Sequence, residues 1–420
     1  MIGLGASAAR RHPLLEDPSV RRSWAGRAAE RLADWILLVA AIATVWQLTA
    51  SPPLIALIVM ARLLPRAVLR LWAVPPGLGG YTSRLYPLMT PMRAVLAGGL
   101  VLVTDDRGGI AWLVGLLVLY GVLSALSDAL RTERIAALVP RLHLGAAARL
   151  DAAIERSMMV LGTASAALIL TAASVQAAFA AAGLLLAGAS VLTLEQARGV
   201  ARGPDDPLSR AGVRDGIRPA GGPAWDLVRT RPSLTLMAGA ALAAGALATS
   251  LTVALVVIIS ERLDGPVSWL GWSLAAVGAG ALIGPFATAR MLAHFPASLL
   301  VAGAVAVTAL GVMLAGLTGS PIIVLATLFT LGLVAVNGDA ISATVTRRLT
   351  PSERLADTSR AMIAATACGQ SIGALAIVVA SPSRGVTEVL LVISIASVVL
   401  MGTLLLVTEG PRLRARPAVS

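Results

Sequence analysis

About twelve long apolar segments dominate this sequence, and proline or glycine marks most of the turns between them, as in Ser51-Pro52-Pro53 and Gly319-Ser320-Pro321. A helix needs roughly 20 apolar residues to cross the hydrocarbon core of a bilayer. The pattern therefore predicts an all-α membrane fold with about twelve transmembrane helices. The predicted spans are 23-50, 53-73, 85-104, 109-131, 148-170, 173-196, 233-260, 267-290, 297-317, 321-346, 357-380 and 386-408.

Composition excludes a soluble chain and most other classes of partner. The residues are 57% hydrophobic and 13% charged, so the apolar excess must face lipid. All 34 basic residues are arginine, and against 22 acids they give a formal charge of +12. They lie between apolar runs without a nucleic-acid motif, so we expect contact with anionic lipid and no nucleic-acid partner. Because Cys368 is the only cysteine and the three histidines are scattered, we expect no disulfide, metal or cofactor.

The arginines also predict the orientation of the chain. Arginine-rich loops alternate with loops that hold at most one arginine, which predicts that both termini are cytoplasmic. We expect a multi-pass protein of the bacterial plasma membrane. The basic start leads into a long apolar stretch, which we interpret as a retained first span. The predicted domains are a cytoplasmic N-terminal segment at 1-22, a six-helix bundle at 23-196, a cytoplasmic linker at 197-231, a second six-helix bundle at 232-408 and a cytoplasmic tail at 409-420.

The two halves share an internal repeat. Four residues of the first half recur 211 positions later in the second half without a gap. Aspartate inside an apolar run is rare, so the aspartate pair carries most of this alignment. Equal orientation of the two copies predicts pseudo-symmetric bundles related by an axis along the membrane normal. The matched pairs are Gly121/Gly332, Asp128/Asp339, Pro140/Pro351 and Gly162/Gly373.

Several short stretches resemble one family of membrane proteins. The first two spans contain Trp46-Gln47-Leu-Thr-Ala-Ser51 and Ala61-Arg62-Leu-Leu-Pro65-Arg66, and Leu138-Val-Pro140 precedes the fifth span. Together these stretches resemble the major facilitator superfamily, in particular its drug-efflux and siderophore-export branches. The resemblance implies a monomeric secondary transporter, not an enzyme, that exports small amphipathic molecules by alternating access through a cavity between the halves. Its partners would be the lipid bilayer, a small-molecule substrate and, where coupling is by antiport, protons.

Two departures from that family keep other functions open. The loop after the second span, Val74-Pro-Pro-Gly-Leu-Gly-Gly-Tyr-Thr-Ser-Arg84, lacks the aspartate of the family's signature. The fifth span continues as Gly162-Thr-Ala-Ser-Ala-Ala, without the proline that the family's antiporters carry. The alternatives are an importer of the same fold and a non-transporting membrane protein that has lost the coupling residues.

Polar residues within the spans are the candidate site residues, because an ionisable group at a helix centre costs about 2.5–3.5 kcal/mol unless it is paired or hydrated. Arg62 lies near mid-membrane with no acid at matching depth on the first span, which favours recognition of an anionic or carbonyl-bearing substrate, or packing against backbone carbonyls. Arg93 is expected to reach Asp128. The candidates for substrate binding are Arg62, Gln47, Trp46, Asn337 and Gln370, and those for proton coupling or a gate are Asp34, Asp128, Asp339, Glu30, Arg31 and Arg93.

Overall fold

The computed structural model describes residues 18–71, 82–103, 109–139, 143–200, 223–351 and 354–414, and within these ranges the chain forms α-helices, with one short π-helix at Ile258–Arg262, joined by short turns. The first half contains α1 (Pro18–Thr49), α2 (Pro52–Leu71), α3 (Thr82–Val103), α4 (Ile110–Leu138), α5 (Leu144–Ala172) and α6 (Val175–Val200). A short helix, α7 (Pro223–Thr230), precedes the second half. The second half contains α8 (Pro232–Val257), α9 (Trp269–Ile283), α10 (Pro285–His294), α11 (Ala297–Leu317), α12 (Pro321–Leu349), α13 (Leu355–Arg384) and α14 (Val386–Arg414).

The predicted membrane fold is confirmed. In the described ranges, ten helices are long and apolar enough to cross a membrane, and α2 and α9 supply two shorter apolar segments, Pro52–Pro65 and Trp269–Ile283. Proline at the first turn starts α8 and α12, because that position needs no backbone N–H donor. Gly385, with φ +79°, ends α13 in a conformation that glycine adopts without strain.

Several helix boundaries differ by a few residues from those of the predicted spans, and the eighth span differs most. The predicted eighth span, 267-290, is divided into α9 and α10, because Pro285 cannot donate to the helix before it. The apolar part of α4, Ile110–Arg131, agrees with the predicted fourth span, and the helix continues beyond it to Leu138. Most of the predicted linker 197-231 lies outside the described residues, and its last part forms α7.

The matched glycines perform the same packing role in both halves. A Cβ atom at Gly121 of α4 would lie 2.9 Å from the Ala61 carbonyl oxygen of α2, and one at Gly332 of α12 would meet the Val277 carbonyl of α9. Gly162 and Gly373 bring α5 against α1 and α13 against α8 in the same manner. Small residues allow such close approach of helix backbones in a membrane.

The helix ends lie alternately on two sides of the molecule, which differ in arginine content. We call the side that faces the arginine-rich loops and both termini the basic side, and the side with the short turns at 50–51, 173–174 and 318–320 the opposite side. On α9, Gly271 packs directly against the α5 backbone at Thr163, and a Cβ at Gly278 would lie 2.9 Å from Val160 Cγ2. The two halves are therefore in close contact along α5 and α9.

Candidate functional site

A buried cluster of charged side chains occupies the first half, toward the basic side. Within the described residues, five arginines and five acids form its ion pairs, so the formal charges cancel. Such balance is what a membrane interior requires, since an uncompensated charge there is costly. The members are Arg27, Glu30, Arg31 and Asp34 on α1, Arg62 on α2, Arg93 on α3, Asp128 and Arg131 on α4, and Asp151 and Glu155 on α5.

Asp34 is the centre of this cluster. Its Oδ1 atom accepts hydrogen bonds from Arg93 Nη2 at 2.6 Å and from the Tyr120 hydroxyl at 2.6 Å. Its Oδ2 atom accepts from Arg31 Nη1 at 3.0 Å, as the i,i+3 spacing on α1 predicts. With these partners from three helices, the Asp34 side chain is 2% exposed, and its contacts connect α1, α3 and α4.

The predicted contact between Arg93 and Asp128 is wrong. Arg93 binds Asp34 and approaches Glu30 Oε2 at 3.4 Å, whereas Asp128 receives Arg27 Nη1 at 2.6 Å and Arg31 Nη2 at 2.7 Å. Arg93 thus pairs with the acids of α1, and the arginines of α1 pair with Asp128 of α4. The described arginine partners of Asp128 therefore belong to its own half of the molecule.

The prediction that Arg62 has no acid at its depth is also wrong. Arg62 Nη1 donates to the Asp34 main-chain carbonyl at 2.6 Å, and its Nη2 lies 3.9 Å from Asp34 Oδ1. The expectation came from counting helical rise along straight helices. A long arginine side chain spans the remaining difference in depth and reaches both a backbone carbonyl and the carboxylate beside it.

Arg31 connects the cluster to Glu155 of α5. Its Nε atom lies 2.6 Å from Glu155 Oε2, and its two Nη atoms are bound to Asp34 and Asp128. The Arg31 side chain is 6% exposed and that of Glu155 is 39% exposed. Glu155 and Asp151, whose side chain is 36% exposed, are thus the accessible members of the ion-pair cluster, and Glu155 is the one that lines the central cavity.

A central cavity of about 270 Å³ separates the two halves beside this chain. Arg62 and Glu155 line it from the first half, and Gln370 of α13 lines it from the second. The remaining wall is mainly apolar, with the threonine hydroxyl groups of Thr249, Thr252 and Thr308 among its lining residues. An apolar wall with a few convergent polar groups is the usual character of a small-molecule site.

A second cavity, of about 290 Å³, extends from the central one into the second half. We call it the C-terminal cavity. It is enclosed by α8, α11, α12 and α13, and it shares Thr308 and Ala335 with the central cavity. Asp339 lines it and is solvent-accessible, and Arg347 lines it closer to the basic side.

The other predicted substrate residues are dispersed. Gln47 lines a separate cavity of about 290 Å³ near the opposite side together with Thr44 and Gln176, and Trp46 is half-buried and packs against the hydrophobic core. The backbone of Asn337 lies on α12, and its side chain is outside the described residues. Of the five predicted substrate residues, the structure brings Arg62 and Gln370 together in the central cavity.

The predicted site residues did not include several members of the site, among them Tyr120, Glu155 and Trp35. The Tyr120 hydroxyl donates to Asp34, and the Tyr120 ring lies beneath the Arg93 guanidinium, with 4.9 Å between Cζ and the ring centroid. The one sequence signal for this role is that tyrosine is unusual among the apolar residues of α4. Glu155 was hidden by its position early in a long span. Trp35 lines the central cavity, and its indole Nε1 is buried without a hydrogen-bond partner in the described structure.

Comparison with known proteins places this arrangement within one class of fold. The amino-acid sequence matches no family model and no curated protein. The structure is similar to crystal structures of a variant of peptide transporter POT in complex with sulfate (TM-score 0.70, 13% identity, 94% of each chain) and of a POT family transporter in complex with a thioalcohol conjugated peptide (TM-score 0.66, 12% identity, 94% of this chain and 96% of that one). It is also similar to nucleoside transporter NupG (TM-score 0.65, 10% identity, 92% of this chain and 98% of that one).

These neighbours are transporters of the major facilitator type. The chain therefore has the major facilitator fold, as its sequence pattern predicted.

Proposed function

We propose that this protein is a secondary-active membrane transporter that moves small amphipathic molecules through the central cavity by alternating access. The observation that carries the proposal is a cavity lined by both halves, whose mainly apolar wall presents Arg62, Glu155 and Gln370. An apolar body would contact the wall, and a polar or charged group would meet these three side chains. The transporter neighbours support the class of function.

Unequal accessibility of the two sides supports alternating access. Toward the opposite side, α5 and α9 touch through Gly271 and Gly278. Toward the basic side, Glu155 and Asp339 are accessible although both lie well inside their helices. In the orientation proposed from the arginine-rich loops, this is a cytoplasm-facing state of a plasma-membrane protein.

The pair Arg31–Glu155 is our candidate for coupling. A ligand that contacts Glu155, or a proton that neutralises it, would weaken its attraction to Arg31, which also holds Asp34 and Asp128. An event in the cavity would thereby change the contacts that fix α1 to α4 and α5. Proton antiport by a monomer is the form of coupling that we propose for this pair.

Export is the direction we propose, following the resemblance of the first two spans to efflux proteins. The solved neighbours include proteins named as peptide and nucleoside transporters, so import is the alternative of the same fold. The third possibility is a non-transporting protein that retains the fold.

Purified protein in liposomes tests these alternatives. Vesicles loaded with ethidium, an amphipathic cation, or carboxyfluorescein, an amphipathic anion, would be assayed with and without a pH gradient. Accelerated dye movement that responds to the gradient is expected for an antiporter, and movement without that response indicates a facilitator. If both dyes cross no faster than in empty vesicles and neither alters the unfolding temperature of the protein, the non-transporting alternative gains support.

The variant Arg62→Gln gives the matched test of the cavity. Glutamine retains hydrogen-bonding capacity without charge, so we expect loss of carboxyfluorescein transport when rates are compared per amount of folded protein in the vesicles. Arg262→Gln is the control, because Arg262 is exposed on the opposite side and lines neither cavity. Equal transport by both variants and the wild-type protein would remove Arg62 from the site.

A further inference from the structure

The C-terminal cavity occupies the position that the charge cluster fills in the first half. The repeat gives the correspondence: Ile110 and Pro321 begin α4 and α12, and Leu144 and Leu355 begin α5 and α13, each pair 211 positions apart. Asp128 and Asp339 therefore occupy the same position on α4 and α12.

The first helices of the halves align with a slightly larger offset. A Cβ at Gly162 meets the Leu32 carbonyl of α1, and a Cβ at the matched Gly373 meets the Ala246 carbonyl of α8, so the offset here is 214 positions. A second contact agrees with it. In the first half Arg31 of α1 contacts Glu155 of α5, and in the second half Gly245 of α8 packs against Thr366 of α13. Thr366 lies 211 positions after Glu155, and Gly245 lies 214 positions after Arg31.

This correspondence shows which charged residues of the first half have no counterpart in the second. Where α1 carries Arg27 and Glu30, α8 carries Ala241 and Ala244, and both alanines line the C-terminal cavity. Every charged position of the cluster on α1 and α5 is replaced in this way. The replacements are Ala241 for Arg27, Ala244 for Glu30, Gly245 for Arg31, Ala248 for Asp34, Met362 for Asp151 and Thr366 for Glu155.

Asp339 is the acid that persists. Asp128 binds the guanidinium groups of Arg27 and Arg31, whereas no side chain in the described ranges forms a hydrogen bond or ion pair with Asp339. Two arginines are nearby: Arg156 of α5 attracts the Asp339 carboxylate across the gap between the halves, and Arg347 lines the cavity two turns farther along α12.

We propose that the C-terminal cavity binds an organic cation, with a guanidinium or similarly small ammonium group on Asp339 and an apolar body along Met237, Val301 and Met362. The first half contains the same kind of contact within the protein: Asp128, at the equivalent position, binds the guanidinium groups of Arg27 and Arg31 of α1. The second half keeps the aspartate and removes the side chains that would bind it. A cavity of about 290 Å³ is near the lower limit for small-molecule sites.

Binding to the full-length protein tests this proposal without requiring transport. The probe is 4-phenylbutylguanidinium, compared with its uncharged isostere 4-phenylbutylurea and with the anion 4-phenylbutyrate, by calorimetry in detergent. We expect the guanidinium probe to bind most tightly and Asp339→Asn to weaken it about 10- to 100-fold, because a charge-assisted hydrogen bond is lost. Glu261→Gln, which removes an exposed acid of the same half, should leave binding unchanged.

A second variant fills the site from within. Ala241→Arg restores the residue that the first half has at this position, so its guanidinium group should reach Asp339, exclude the probe and raise the unfolding temperature. The double variant Ala241→Arg with Asp339→Asn should lose that gain in stability. The proposal is overturned if wild-type protein does not bind the guanidinium probe, if urea or butyrate binds as tightly, or if Asp339→Asn binds as wild type.

The experiment separates this proposal from the proposed function. Probe binding that requires Asp339, together with no dye transport, would retain the cation site and reject the transporter. Dye transport without such binding would retain the transporter and reject the cation site.

Discussion

Arg31 and Glu155 approach to 2.6 Å between Nε and Oε2, and this pair connects an enclosed network of charges to an open cavity. Arg31 is the only described side chain that contacts Asp34, Asp128 and Glu155 together. A change in the charge of Glu155 therefore acts on contacts of α1 with two other helices.

Replacing Glu155 with Gln should impair function far more than folding. Because the side chain is 39% exposed, loss of its ion pair should change stability by at most about 1 kcal/mol. Dye transport driven by a pH gradient should fall at least tenfold if Glu155 couples the cavity to the cluster. Asp151→Asn is the control, since Asp151 is 36% exposed on the same helix and does not line the central cavity. Equal losses in the two variants would contradict a specific role for Glu155.

Removing Arg93 should destabilise the protein strongly. The side chain is 1% exposed and faces both Asp34 and Glu30, so Arg93→Met would leave two buried acids undercompensated, at a cost of about 3–5 kcal/mol. Thermal unfolding in detergent measures the loss. Combining Arg93→Met with Asp34→Leu removes one of the stranded charges and should recover part of it. A single variant as stable as wild type would show that the cluster does not hold the first half together.

Gly162 should tolerate no side chain, because a Cβ there would lie 2.7 Å from Trp35 Cβ and 2.9 Å from the Leu32 carbonyl oxygen. Gly162→Ala must displace α1 from α5, which we expect to cost about 1–3 kcal/mol. A Cβ atom at Gly188 on α6 would meet nothing within 4 Å, so Gly188→Ala should be neutral or stabilising by up to about 1 kcal/mol. Comparable unfolding temperatures for the two variants would refute the close approach of α1 and α5.

The fold was accessible from the sequence because a bilayer allows few solutions. Apolar length located nearly every span, and the 211-residue repeat located the pairs Gly121/Gly332 and Gly162/Gly373 that pack equivalent helices. Charged residues within spans could be predicted to have partners, since burial in lipid makes an unpaired charge costly, and Asp34, Arg62 and Arg93 are indeed ion-paired.

The pairing of those charges was not accessible in the same way. Whether Arg93 meets Asp34 or Asp128 depends on how α1, α3 and α4 are rotated and tilted relative to one another, and helical rise along one chain contains no such information. The C-terminal cavity is harder still to predict from sequence, because much of its lining is alanine and glycine, whose small size leaves the space open. Ala241 and Ala244 become informative only when they are aligned with Arg27 and Glu30.

Labelling of single cysteines should establish the orientation on which the transport direction depends. In a Cys368→Ser background, Ser209→Cys lies in the arginine-rich stretch 197-231, and Gly319→Cys lies in an exposed turn on the opposite side. Excess arginine retains loops in the cytoplasm, so a membrane-impermeant maleimide added to intact cells should label residue 319 at once and residue 209 only after lysis. Labelling of 209 alone in intact cells would reverse the topology. The accessible carboxylates of Glu155 and Asp339 would then face the exterior, and a ligand would enter the cavities from outside the cell, which would favour import over export.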